Sequence, residues 1–194
     1  MDKEIELKYC PVNKDDIRQK LQNSGFTMIQ PEYMMRRVLL HSPHLTDRWA
    51  RVRQEVDGVT TAIKRVVDRN AIDGTEEIQM PAPSVELAVR HLEACGFHKT
   101  AFHESYREIW GRDGLEVTID SWPGLAPLME IEGINADKVY AAAAELGFNK
   151  DEALFGSIDL VYEAIVGIPQ RWICENDLTF DNPPDINSIK KQVA

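Results

Sequence analysis

The sequence predicts an α+β fold, mostly antiparallel β. In it, eight strands close into a barrel tunnel with a polar lumen, flanked by about four α-helices. Three observations carry this expectation. Segments alternating polar and apolar residues recur along the chain, the period of a strand with two unlike faces. Three amphipathic stretches interrupt them, each ending in Gly-Phe. The polar faces of the strands also collect both acids and bases.

The elements follow in chain order. "EIELKY" (4–9) alternates Glu4, Glu6 and Lys8 with Ile5, Leu7 and Tyr9, so a strand is expected near 2–9. "NKDDIRQKLQNSGF" (13–26) starts on Asn13, a good cap, and ends on Gly25, where a helix closes left-handed. Strands are expected near 34–41, 48–55, 59–66 and 74–80, with Asp57-Gly58 as a hairpin turn. "SVELAVRHLEACGF" (84–97) is a second capped helix. Strands near 102–110 and 114–120 flank the hairpin "GRDG" (111–114), and another follows near 127–133. Asn135 opens a third helix, "ADKVYAAAAELGF" (136–148), and a fourth is expected near 151–165. The repeated Gly-Phe ending hints at a duplicated strand–helix unit. The remainder has prolines and no clear period, which divides the chain into a tunnel domain, 1–166, and a C-terminal extension, 167–194.

Composition narrows the function classes. A net charge of −10 argues against a nucleic-acid surface, while a pocket can still be locally basic. No apolar run approaches the ~20 residues of a membrane helix, and the charged start is unlike a signal peptide. Cys10, Cys95 and Cys174 show no metal or disulfide spacing, and a reducing, cytoplasmic setting is expected. Cys10 and Cys95 are expected to pack. Trp49, Trp110 and Trp122 read as packing at strand ends, with Trp122 also placed to rim a tunnel mouth. His91 and His98 read as surface, and His103, which precedes the arginine strand, is open by strand parity to facing the tunnel.

One face of each strand gives an inventory: Glu4, Glu6 and Lys8; Arg51 and Arg53; Lys64; Glu77 and Gln79; Ser105 and Arg107; Glu116, Thr118 and Asp120; Glu130 and Glu132. By alternation alone Arg65 has as good a claim as Lys64. The opposite faces, such as Ile5/Leu7, Val117/Ile119 and Met129/Ile131, are apolar and need cover, which the helices can supply from outside. The charged faces then point inward. Clustered carboxylates repel unless a cation sits between them. Two Glu-x-Glu pairs, Glu4/Glu6 and Glu130/Glu132, offer oxygen ligands to Mg²⁺ or Mn²⁺. Arg and Lys opposite them suit phosphate oxygens.

"EIELK" (4–8) resembles the Glu-x-Glu-x-Lys signature of the CYTH family, the triphosphate tunnel metalloenzymes. The family's later motifs are matched in order by "RVR" (51–53), "IK" (63–64), "EEIQ" (76–79), "SYREIW" (105–110) and "VTIDSWPGLAPLMEIEG" (117–133). The resemblance spans roughly residues 3–165. It implies an antiparallel eight-stranded tunnel in which Lys8, Arg51, Arg53, Lys64 and Arg107 bind the triphosphate, with Asp120 nearby. Glu4, Glu6, Glu130 and Glu132 match the metal-associated carboxylates, and Lys8 or Glu77 are candidates for activating water. Ser105, Gln79, Ala126 and "VLL" (38–40) depart from the family pattern, which bears on the reaction more than on polyphosphate binding. The leading expectation is metal-dependent hydrolysis of a triphosphate: inorganic tripolyphosphate, thiamine triphosphate or a nucleoside triphosphate. The alternatives are a class IV adenylyl cyclase and a non-catalytic polyphosphate- or nucleotide-binding module. The expected partner is a small-molecule triphosphate, with no nucleic acid and no membrane, and a homodimer left open.

Overall fold

The computed structural model describes residues 1–193. Its elements are β1 (Asp2–Glu4), β2 (Glu6–Tyr9), α1 (Lys14–Asn23), β3 (Thr27–His41), β4 (Trp49–Gln54), β5 (Val59–Val66), β6 (Thr75–Ala82), α2 (Val85–Ala94), β7 (His98–Arg112), β8 (Leu115–Ser121), β9 (Leu128–Gly133), α3 (Ala136–Glu145), α4 (Ile158–Val166), α5 (Gln170–Glu175) and α6 (Ile186–Val193).

The strands form one antiparallel sheet in the order β1-β6-β5-β4-β3-β7-β8-β9-β2. Its two ends, β1 and β2, are consecutive pieces of the N-terminal segment. Glu4 pairs with Thr75 of β6, whereas Glu6 pairs with Glu132 of β9. The segment changes partner at Ile5, whose carbonyl accepts from the Gly133 N–H at 3.1 Å. The sheet is therefore a nearly closed barrel of nine strands with one unsealed seam, not the closed eight-stranded barrel expected. Closure demands a stagger between first and last strands. Here the N-terminal segment meets it by pairing one half with each edge.

The helices form for the reasons visible in the sequence. The side chains of Asn13, Ser84 and Asn135 accept from backbone N–H groups in the first turns of α1, α2 and α3. Gly25, Gly96 and Gly147 end them at φ of 73°, 89° and 82°, values costly for any side chain with a Cβ. The β7–β8 turn places Asp113 and Gly114 at φ of 49° and 78°, as a tight hairpin requires.

The apolar strand faces are covered from outside, as expected. Ile17 and Leu21 of α1, with Val139, Ala142 and Ala143 of α3, pack on Leu7, Val117, Ile119, Met129 and Ile131. Ala88 and Leu92 of α2 cover Val38, Leu40, Ala50 and Val52. Burying each such Leu, Ile or Val contributes about 1.5–3 kcal/mol, enough to decide which face turns outward toward the helices.

Two local expectations change. Residues 150–152 form a single 3₁₀ turn, and α4 begins only at Ile158, because Gly156 at φ 77° breaks the helical path. Cys95 is exposed beyond α2 rather than packed. The chain after Gly167 builds two helices, and its Ile168, Ile173, Leu178 and Ile189 bury against Trp122, Leu125, Leu128 and Tyr162. Among the described residues, no helix is long and apolar enough to cross a membrane.

Candidate functional site

Inside the barrel lies a cavity of about 620 Å³. Its wall includes Glu4, Glu6, Lys8, Arg51, Arg53, Lys64, Glu77, Gln79, Arg107, Glu116, Asp120, Glu130 and Glu132. Alternation therefore assigned most of the inner face, while Ser105 and Thr118, expected there too, are buried and absent from the wall. Lys64 points in, while its neighbour Arg65 ion-pairs with Glu76 at 2.8 Å and is absent from the wall.

The acidic wall comes from β2, β8 and β9. Glu6 and Glu132 are cross-strand partners, and Glu130 faces Lys8 in the same ladder. One carboxylate oxygen from each of Glu6, Glu130 and Glu132 lies within 4.8 Å of the others. Lys8, only 4% exposed, sits 2.6 Å from Glu6 and 3.0 Å from Glu130. Burial lowers the affinity of Lys8 for its proton, but the two carboxylates outweigh burial and hold it charged. Glu130 moves the other way: burial favours its neutral form, and Lys8 with Arg107 overcomes that and keeps it ionised. Glu132 has no such cation beside it. Burial, then Glu130, Glu6 and Glu116, push it up to about 7.

Glu4 does not join this group. The change of partner at Ile5 leaves Glu4 on the β6 side of the seam, where Lys64 stands 2.8 Å away. Lys64 also contacts Glu77 at 2.7 Å. Burial and then the hydrogen bond with Glu77 raise Glu4. In Glu77 that hydrogen bond and the charges of Arg51 and Lys64 overcome burial and hold it low. The structure thus gathers three of the four expected metal-associated carboxylates and sets the fourth in a Glu4–Lys64–Glu77 network.

The basic wall comes from β3, β4, β5 and β7. Arg51 donates to Glu77 at 3.0 Å and to Gln79 at 2.9 Å. Arg53 donates to Glu55 at 2.5 Å. Arg107 forks onto Asp120 at 2.8 and 2.6 Å. Asp120, 2% exposed and so engaged, aims Arg107. Burial first, then the charge of Arg53, lowers Arg51 to about 10, still protonated at neutral pH.

Arg37 and the extension's part of the wall escape the sequence reading, and His103 takes the tunnel-facing position that strand parity left open. Arg37 of β3 lines the cavity, donating to the Ser105 hydroxyl at 2.6 Å and lying 4.3 Å over the Trp122 ring. His103 also lines it, its Nε2 held 3.1 Å from the carbonyls of both Ile173 and Asn176. Burial first, then the charge of Arg37, lowers His103 to about 4, so it is neutral. The extension supplies wall as well as cover, through Ile173 and Cys174. The adjacent basics in "RRVLL" signalled that one arginine must face inward, since neighbours in a strand alternate.

No family model matches the chain, and no curated protein matches it in sequence. Solved structures do match in shape. PH1819 from Pyrococcus horikoshii superposes with a TM-score of 0.66 at 22% identity, over 83% of this chain and 98% of that one. PH1012 from the same organism gives 0.65 at 19% identity, over 77% and 93%. A Vibrio parahaemolyticus protein named "putative adenylate cyclase" gives 0.67 at 14% identity, over 82% and 98%. The chain shares the fold of these structures, a nearly closed antiparallel barrel.

Proposed function

We propose that this protein binds a triphosphate in its tunnel and hydrolyses it with the help of a divalent cation. One observation carries the reading: a triad of carboxylates served by one lysine faces the same cavity as a wall of arginines. The first surface calls for a cation and the second for a polyanion.

The donor set is all oxygen and grades from buried Glu6 through half-buried Glu130 to the more open Glu132, which fits Mg²⁺ or Mn²⁺. When bound there, the ion would neutralise phosphate charge and polarise a phosphorus–oxygen bond. The remaining work falls to side chains. Arg51, Arg53, Lys64 and Arg107 grip the phosphate oxygens and stabilise charge as it develops. Asp120 and Glu77 hold those cations in place before the substrate arrives. Lys8, locked between Glu6 and Glu130, keeps the carboxylates from repelling each other when no ion is present. Water then attacks a terminal phosphorus, the bond from that phosphorus to the bridging oxygen breaks, and orthophosphate and the shortened diphosphate leave, the water's proton passing to phosphate oxygen or solvent.

A second reading, cyclisation of ATP, is favoured by one observation. The cavity wall also includes Leu39, Trp49, Leu128, Ile158 and Ile173, a lining suited to an organic group. The name carried by the Vibrio parahaemolyticus relative agrees with it.

The test uses the purified protein with Mg²⁺ or Mn²⁺ and, separately, tripolyphosphate, thiamine triphosphate and ATP. Metal-dependent phosphate release supports hydrolysis. Cyclic AMP with pyrophosphate replaces it with the cyclase reading. Tight triphosphate binding without any product reduces the protein to a binding module.

A further inference from the structure

Buried charges in this barrel are nearly all answered by a partner of opposite sign. Arg51 has Glu77, Arg53 has Glu55, and Arg107 has Asp120. Arg37 is different. It is 7% exposed, and among the described residues it has no ion-pair partner. Its recorded polar contact is the neutral Ser105 hydroxyl, and its Nε is buried without a hydrogen-bond partner. The Trp122 face fixes the guanidinium plane but brings no counter-charge. The surrounding charges make matters worse. Arg53 is its cross-strand partner on β4, and Arg51 lies two residues along the same face. Burial, then the charges of Arg53, Arg51 and Arg107, all press Arg37 toward losing its proton. The Nε of Arg51 is a second buried donor without a partner among the described residues.

A guanidinium held rigidly, facing a cavity and lacking a contacting anion costs folding energy that the Ser105 hydroxyl, the Trp122 face and the more distant Asp120 return only in part. We infer that Arg37, oriented by Ser105 and Trp122 and joined by Arg51, forms an additional oxyanion subsite that takes a phosphate group of the bound polyphosphate. The ligand's charge supplies what the fold withholds. Planar forked donors suit a tetrahedral oxyanion better than a point ammonium would. His103 fits this role: kept neutral, it adds no further positive charge beside Arg37.

The inference rests on the triphosphate reading, and the experiment separates the two. Wild type, Arg37→Met and Arg37→Lys are titrated calorimetrically with Mg²⁺ and a hydrolysis-resistant, imido-bridged tripolyphosphate, and in parallel with orthophosphate. Each is also melted without ligand. Arg37→Met is expected to weaken tripolyphosphate binding by about 10- to 100-fold, the loss expected for charge-assisted hydrogen bonds, with Arg37→Lys between it and wild type. Its unliganded melting temperature should stay level or rise, which a purely structural arginine would not allow. Equal affinity in Arg37→Met and wild type overturns the subsite and leaves triphosphate binding intact. If Arg37→Met does not fold, Arg37→Lys decides: unchanged affinity overturns the subsite, and a clear loss supports it. A wild type that binds orthophosphate through Arg37 but ignores tripolyphosphate keeps the subsite and removes the triphosphate reading. A wild type that binds neither probe removes both.

Discussion

The two walls of the tunnel handle charge in opposite ways. On the acidic wall, three carboxylates crowd within 4.8 Å and one ammonium answers two of them, Glu6 and Glu130, so negative charge is in excess. On the basic wall, three arginines each hold a carboxylate, and Arg37 alone stands without one among the described residues. A fold seeking only stability would pair every buried ion or replace it with an apolar side chain. Here the surpluses have opposite signs and face one another across a shared space. The difference teaches where ligands are needed: a cation at Glu6, Glu130 and Glu132, and an anion along the arginines.

Breaking the acidic wall should have the largest effect. The double substitution Glu6→Gln/Glu130→Gln is expected to lower metal-dependent tripolyphosphate turnover by about 10³-fold, the worth of several kcal/mol of transition-state charge stabilisation. Initial rates and Mn²⁺ binding by EPR would check it, and full turnover would remove these residues from the site.

Unpairing the basic wall should cost stability instead. Asp120→Asn takes from Arg107 its forked partner and leaves it Glu130 at 3.6 Å, so urea unfolding should show a loss of at most about 3–5 kcal/mol, the range for buried pairs missing one member. Added tripolyphosphate should restore part of it. Arg37→Met, which breaks no ion pair, should show no such loss. If the two variants behave alike, the contrast between paired and unpaired arginines fails.

His103 adds a pH signature. Its folded value of about 4 lies below the ordinary 6.5, so the unfolded chain binds the extra proton first. The stabilisation is complete above pH 6.5 and is lost as pH falls through about 4. It is of order 3 kcal/mol. His103→Gln should flatten the stability profile across that window, measured by urea melts in EDTA. An unchanged slope would place the acid sensitivity elsewhere.

The smallest effect belongs to the outer face. Arg65→Gln removes a part-exposed pair with Glu76, and stability should move by about 0.5 kcal/mol or less, with KM unchanged. Lys64→Gln, one residue away but inside, should raise KM. Equal kinetic effects would mean that the inward and outward faces of β5 are misassigned.

How much of this the sequence showed depends on regularity. Where a strand alternates cleanly, as at Glu4–Lys8 or Glu130–Glu132, period two was enough to place side chains in the lumen. Caps at Asn13, Ser84 and Asn135 were equally legible, because the capping side chain is local. β3 was harder. "YMMRRVLLH" is apolar on both faces, since α2 covers one and the cavity's wall uses the other, so alternation could not choose between Arg36 and Arg37. The N-terminal end of β3 also ran longer than expected, through Pro31 and two register shifts. The parting of Glu4 from Glu6 depends on which strand each half of the segment joins, a non-local fact absent from "EIELK" itself. The extension lacked any period because backbone bonds place it: Leu178 exchanges hydrogen bonds with Phe102 and Glu104, and Asp177 accepts from the Phe102 N–H.

The N-terminal segment's change of partner at Ile5 also governs how the site comes into being. Its two halves dock on strands that lie far along the chain, β6 and then β9, so loop-closure entropy opposes their pairing until the intervening sheet has formed. Glu6 reaches Glu130 and Glu132 only when that last pairing is made. The cation site is absent from a chain in which β2 has not docked on β9 and complete in one in which it has. An ion bound there favours the docked form by mass action. Metal occupancy and the docking of β2 are then two readings of a single equilibrium.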